Sequence, residues 1–440
     1  MAPAHCLKLL IGLPLLAAGL PATGESQTPA DRAAAVTGVR EFLSACRLDS
    51  GRLWSKSLCG RLIAVDGRTG LAVATAAPPA GQFKRDRSLW IGRVPEGMQV
   101  ANTATDWGGQ FWSTVRLPLP GDRFARIQLL IHEAFHRIQP ELGLNAPDAI
   151  NAHLDERDGR YLLRLELRAL AAAFQAADAG ARRAIGDALL FRARRYQIYP
   201  GADSLERSLE IQEGLAEYTG TKLAMAATGQ AGGDAVKAAA DFETRATYVR
   251  SLGYGTGPLL GLLLDRYAAH WKRDVRTTGM SGPLAAAVGF TPPPDLAASV
   301  AAAAVRYDGE GLAAFETERA TTRARVAGDY RARLIDGPVI VLMADGMSRS
   351  FNPNNLFPLG GAGTVYPTGE FEAVWGVLSV NHGGALVAPG NREVRVPASS
   401  TVDSAATLIE GDGWRLQLKT GWRLRPGPRS GDFRATKVSP

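Results

Sequence analysis

Five consecutive residues carry the densest chemistry in this 440-residue chain: His132-Glu133-Ala134-Phe135-His136. Residues four apart share one face of a helix, so both imidazoles can reach a single divalent ion at Zn–N distances of about 2.0–2.1 Å. Glu133 follows the first His by one step and brings a carboxylate beside the position the ion leaves open. A carboxylate so placed can take a proton from an attacking water and later hand it to a leaving group. The chain has six His, and random order of this composition yields the pattern roughly 0.004 times per chain. Ile127, Leu130, Ile131, Phe135 and Ile138 recur around the motif at helical spacing, which predicts a buried helix over 123–139. A buried helix that offers His, Glu and His has little structural purpose without a metal.

A catalytic zinc site takes a third protein ligand and keeps one position open. The extension H-E-x-x-H-x-x-G-x-x-H is excluded, because Gln139 stands at its Gly position and Leu142 at its last His. The third ligand is then expected to be a carboxylate on a later helix. In Leu205 to Ala224 (LERSLEIQEGLAEYTGTKLA), Glu213 and Glu217 are i,i+4 neighbours, and Gly214 leaves room for close helix approach. Glu217 itself and Glu166 are the rival ligands. Glu166 lies between Arg164 and Arg168, where a surface or interhelical ion pair is the plain structural reading.

At this segment the chain resembles the glutamate-zincins (gluzincins), notably the peptidase families that pair H-E-x-x-H with a later E-G-x-A-x-Y. The matching residues are Glu213-Gly214-Leu215-Ala216-Glu217-Tyr218. The resemblance covers at most residues 110–266. It implies a zincin-like metallopeptidase with one Zn²⁺ per chain and Glu213 as third ligand. It also implies that Glu217 orients a ligand His through the other ring nitrogen; many such enzymes have Asp there, so Glu is a departure. Zincins commonly place an edge strand before the metal helix. Residues 110–117 (QFWSTVRL) hold that place and suit main-chain pairing with an extended peptide. A Tyr, His or Arg is further expected at the developing oxyanion. Tyr254, in the Gly-rich stretch 250–258 before an apolar helix, is the catalytic candidate, ahead of His270 and His153.

These side chains need elements to hold them. A chain of this length exceeds one hydrophobic core, so two or more domains are expected. With 46% hydrophobic and 21% charged residues, the composition excludes a largely disordered, collagen-like or polytopic membrane protein. The 50 basic and 43 acidic residues give +7, but no Lys/Arg block with interleaved aromatics gathers it, so no nucleic-acid partner is expected. Residues 1–24 read as an export signal: Lys8, the apolar run Leu9 to Leu20, then Ala22-Thr23-Gly24. The mature chain would be periplasmic or secreted, without a membrane span. Cys46 and Cys59 then remain and are expected to form a disulfide.

Helical spacing marks 31–48. Short β-type runs follow (LIAVD, GLAVAT, SLWIGRV, QFWSTVRL), and then helices near 123–139, 150–176, 180–197, 204–228, 235–250, 257–272 and 295–332. After Gly337 the texture turns to short strands parted by Gly, Pro and Asn. The expected fold class is α+β. Residues 25–335 would form a mostly helical zincin-like metallopeptidase domain with an N-terminal β region, and 336–440 an all-β, sandwich-like accessory domain. The expected activity is zinc-dependent hydrolysis of a peptide or protein substrate. Two alternatives stay open: an exported binding or scaffolding protein on the same fold, and hydrolysis of a non-peptide amide or ester.

Overall fold

The structure, a computed structural model, describes residues 29–438 apart from 97, 99, 148, 231, 353, 354, 400–402 and 405. The expected export signal lies outside the described residues. The chain divides into two compact units, one ending at Glu316 and the other starting at Thr317. The expected boundary at 335/336 is thus displaced into helix α12 (Gly309–Arg331). The cause is local packing: Ala327, Tyr330 and Leu334 share a cluster with Leu359, Val365 and Leu386.

The first unit opens with α1 (Pro29–Asp49) and a six-stranded sheet. Its strands are β1 (Leu62–Val65), β2 (Leu71–Ala74), β3 (Gln82–Asp86), β4 (Leu89–Arg93), β5 (Thr103–Asp106) and β6 (Phe111–Arg116). They lie in the order β3-β4-β2-β1-β6-β5, with β1 and β6 parallel and the other pairs antiparallel. Side chains alternate between faces at period two. Leu62, Ala64, Val73 and Val115 join the helical core, while Ile63, Val65, Ala72, Ala74 and Trp112 form a cluster on the other face. The order corrects one expectation. QFWSTVRL is β6, flanked by β1 and β5, so it is not an edge; β5, antiparallel to β6, holds that edge.

A run of helices follows: α2 (Arg123–Ile138), α3 (Arg157–Gln175), α4 (Asp178–Ile198) and α5 (Ala202–Leu209). After a π-helical turn at Glu210–Gly214 come α6 (Leu215–Thr228), α7 (Gly233–Glu243) and α8 (Leu252–Tyr267). Shorter helices α9 (Val275–Thr278), α10 (Ser281–Val288) and α11 (Leu296–Ala304) lead to α12. Asp122 caps α2, its Oδ1 accepting the Ala125 N–H at 2.8 Å, which satisfies one of the orphan donors of the first turn. Helix α8 starts five residues earlier than its apolar run suggests, because Gly253, Gly255 and Gly257 are helical rather than loop. No described helix is long and apolar enough to cross a membrane.

Cys46 and Cys59 are disulfide-bonded. Closing a loop of that length stabilises by about 3 kcal/mol in the chain-entropy model. The loop braces α2 from behind. Trp54 packs against Phe135 with the rings tilted by 49° and centroids 5.1 Å apart, its Nε1 donates to Thr219 Oγ1 at 2.9 Å, and Arg137 donates to the Ser57 and Leu58 carbonyls.

The second unit has twelve strands among the described residues, from β7 (Val339–Met343) to β18 (Phe433–Lys437), in sheets of seven and five. Ile340 and Val394 of the larger sheet share a core with Phe371, Leu378 and Leu416 of the smaller. Two sheets closing on one apolar layer make a β-sandwich. The molecule is therefore α+β with an all-β C-terminal region.

Candidate metal centre

Helix α2 carries His132 and His136 on one face, and the π-turn and α6 carry Glu213 and Glu217. Missing side chains let these elements meet. A Cβ on Gly220 would strike the Gln128 carbonyl of α2, and one on Gly257 would strike the Gly214 carbonyl. A Cβ on Gly253 would stand 2.8 Å from Gly214 N and 2.9 Å from Leu209 O. One on Gly214 itself would meet Gly257 Cα at 3.4 Å. The close approach at the π-turn thus depends on α8's glycines more than on Gly214.

Three ligand-type atoms converge. His132 Nε2 and His136 Nε2 are 3.1 Å apart, and Glu213 Oε2 lies 3.4 Å from the first and 3.5 Å from the second. Tetrahedral zinc with bonds of about 2.0–2.1 Å separates its ligand atoms by about 3.3 Å. The triangle has the size such an ion requires, and among the described residues no fourth His, Cys, Asp or Glu joins it.

The outer nitrogens fix the imidazoles. His132 Nδ1 lies 2.7 Å from Glu217 Oε2, whose other oxygen accepts from Gln128 Nε2 at 2.8 Å. His136 Nδ1 lies 2.9 Å from Gln139 Oε1, and Gln139 Nε2 donates to the carbonyls of Ile211, Gln212 and Leu144. With both Nδ1–H groups donating, the Nε2 lone pairs point at the common centre. Burial works to lower both imidazole pKa values. The Glu213 and Glu217 carboxylates outweigh it, holding His132 well above its ordinary value, and chiefly Glu213 holds His136 above its own. Burial likewise works to raise Glu213, and the two imidazoles instead hold it well below the carboxylate range.

Glu133 is buried, and its Oε2 has no hydrogen-bond partner among the described residues. Burial pushes its carboxyl up, partly held back by His132 and His136. Its main-chain carbonyl accepts from Ser113 Oγ at 3.0 Å, which ties β6 to α2. Tyr254 stands in the first turn of α8, its ring stacked on His132 at 5.5 Å and its hydroxyl donating to Glu213 Oε2 at 2.6 Å. Burial and the neighbouring Glu213 push its phenol well above 10.

Other sequence candidates lie apart from the centre. Glu166 is fully buried and pairs with Arg192 and Arg195 of α4, not with Arg164 and Arg168, which bind Glu243 and Glu316. The interhelical ion pair expected of Glu166 is thus present, with its partners on α4 because Glu166 points to the side of α3 opposite Arg164 and Arg168. His153 is bonded to Glu206 at 2.7 Å, and His270 is exposed at the start of a short 3₁₀ turn.

No motif marks Gln139 in the sequence, although its i+3 spacing from His136 puts it on the same face. Nor does a motif mark Glu210, the first residue of the π-turn. Glu210 is gripped by both terminal nitrogens of Arg192 at 2.9 and 2.6 Å and by Thr256 Oγ1 at 3.0 Å. No local spacing pattern announces that clamp. Compared with known proteins, the chain matches no protein-family model, no curated protein and no solved structure.

Proposed function

We propose that the chain is an exported, zinc-dependent peptidase of zincin-like fold in which His132, His136 and Glu213 hold one ion. The observation that carries this reading is the near-equilateral triangle of Nε2, Nε2 and Oε2, with the unpartnered Glu133 carboxylate one residue from His132. Zinc held there supplies Lewis acidity, which polarises a carbonyl and makes water acidic near neutral pH.

The chain's own groups supply the proton handling. Glu133 takes the proton of the attacking water and delivers it to the leaving amine, and its raised pKa suits a group that must do both. Tyr254 keeps its proton at neutral pH, and its single O–H, which bonds Glu213 in the resting site, can turn to the developing oxyanion. An extended peptide would add to β5, the edge strand beside β6, by main-chain hydrogen bonds. Export is supported by the pattern of residues 1–24 and by the Cys46–Cys59 disulfide. A purely structural zinc site takes four protein ligands, and the described cluster offers three.

Glu133→Gln is the direct test. The variant should bind about one equivalent of zinc and lose hydrolysis of a peptide library that the zinc-loaded wild type cleaves. Undiminished turnover by the variant would remove Glu133 from the mechanism.

A further inference from the structure

A cation stands beside the metal centre without an acidic partner. Arg245 follows α7, half-buried, with its guanidinium carbon 4.9 Å from the Phe242 ring centroid and 6.0 Å from that of Tyr254. Tyr254 in turn stacks on His132 at 5.5 Å. One aromatic ring therefore separates the guanidinium from a ligand imidazole. Among the described residues its N–H groups meet no carboxylate within ion-pair distance and donate no hydrogen bond. Glu217 is the acid that bears on it most strongly through space, and that carboxylate is already committed to His132 and Gln128.

The backbone under Arg245 is fixed. Arg160 donates to the carbonyls of Arg245 and Ala246, both at 3.2 Å, and is itself anchored on Glu316 at 3.0 Å. Phe242 is wedged against α8 where Gly255 lacks a side chain, and it stacks on Tyr248 at 5.2 Å. A guanidinium lying over aromatic rings on such a base keeps its donor edge free. That fork matches a carboxylate in a two-pronged hydrogen bond.

We infer that Arg245 forms a subsite for a carboxylate carried by the substrate, a claim that rests on the peptidase reading above. The two steps of 6.0 and 5.5 Å, laid end to end, span at most about three residues of extended chain. The carboxylate would thus lie within about three residues of the bond cleaved, either as the free C-terminus or as an Asp or Glu side chain.

The test gives zinc-loaded wild type, Arg245→Gln and Arg245→Lys the same paired peptide libraries. The pairs are Asp against Asn and Glu against Gln at each position, and free against amidated C-termini. Circular dichroism confirms that each variant is folded. Wild type should favour one acidic member by about ten- to hundredfold in kcat/KM, the value of a charge-assisted hydrogen bond. Arg245→Gln should equalise that pair, mainly through KM, while turning over neutral peptides within about twofold of wild type. Arg245→Lys should keep part of the preference. A preference for free C-termini identifies the terminal carboxylate as the source, and one for internal Asp or Glu identifies a side chain. Equal cleavage of acidic and neutral peptides by wild type, or a preference that survives in Arg245→Gln, overturns the subsite and leaves the peptidase standing.

Calorimetric binding of succinylated against neutral peptide hydroxamates separates the remaining cases. If no peptide is cleaved yet Arg245→Gln abolishes a measured preference for the acidic hydroxamate, the subsite stands and the hydrolytic reading falls. Equal binding of both hydroxamates without cleavage overturns both.

Discussion

Glu217 Oε2 lies 2.7 Å from His132 Nδ1, so the ring's other nitrogen is left to face His136 and Glu213. In the proposed zinc site the carboxylate would act on the ion through the imidazole rather than by touching it. Glu217→Ala should therefore lower zinc affinity by about ten- to hundredfold while leaving one binding site at saturation, as loss of such a partner does. Competition titration with a chromogenic chelator measures this. Unchanged affinity would show that His132 needs no help from Glu217.

Tyr254 joins the centre from α8 through Glu213 and through its stack on His132. Tyr254→Phe keeps the stack and removes only the hydroxyl. At saturating zinc, kcat should fall by about 10²–10³, the scale of a lost oxyanion donor, with KM little changed. Full kcat in a zinc-replete Tyr254→Phe protein would confine the hydroxyl to holding Glu213.

A side chain at Gly257 cannot be fitted without moving the backbone of Gly214, the residue after Glu213. Gly257→Ala should destabilise by about 1–3 kcal/mol, as overpacking does, and weaken zinc binding with it. Urea unfolding with and without zinc gives both quantities. A variant as stable as wild type, with wild-type zinc affinity, would show that the π-turn tolerates the shift.

Glu206 belongs to the buried network that holds this turn. Arg195 grips its two oxygens at 2.6 Å each, Arg195 and Arg192 both reach Glu166, and Arg192 clamps Glu210. Burial works to raise the Glu206 carboxyl, but Arg195 and His153 outweigh it and hold the group far below its ordinary value. A depressed carboxyl stabilises the fold fully above its unfolded pKa of about 4.3, and this contribution is lost as pH falls further. Glu206→Gln should cost about 3–5 kcal/mol at pH 7, because it leaves Arg195 short of a buried counter-charge. The gap to wild type should narrow below about pH 4. Denaturant midpoints across this range decide it, and a gap independent of pH would contradict the ionised assignment.

How far the sequence could show this centre follows from the range of each signal. His132, Glu133 and His136 are spaced within one helix, and Glu213 and Glu217 within another, so helical geometry alone puts each set on a face. The strands of the sandwich alternate clearly enough to separate an all-β region from the helices before it. By contrast, β3 (QFKRD) and β5 (TATD) carry little apolar alternation and were not expected, so β6 was mistaken for the edge. Strand order depends on partners tens of residues away, which no local pattern encodes. The Arg192–Glu210 and Arg195–Glu206 pairs are invisible for the same reason, since each partner alone reads as an exposed charge on an ordinary helix. The π-turn that carries Glu213 also looks in sequence like uninterrupted helix.

The most direct measurement is a crystal structure of the zinc-loaded protein with an anomalous difference map at the zinc edge. Convergence of the three ligands predicts one peak, about 2.0–2.2 Å from His132 Nε2, His136 Nε2 and a Glu213 oxygen, with the fourth position filled by solvent. No peak within reach of these atoms, or a fourth protein side chain closing the coordination, would contradict it.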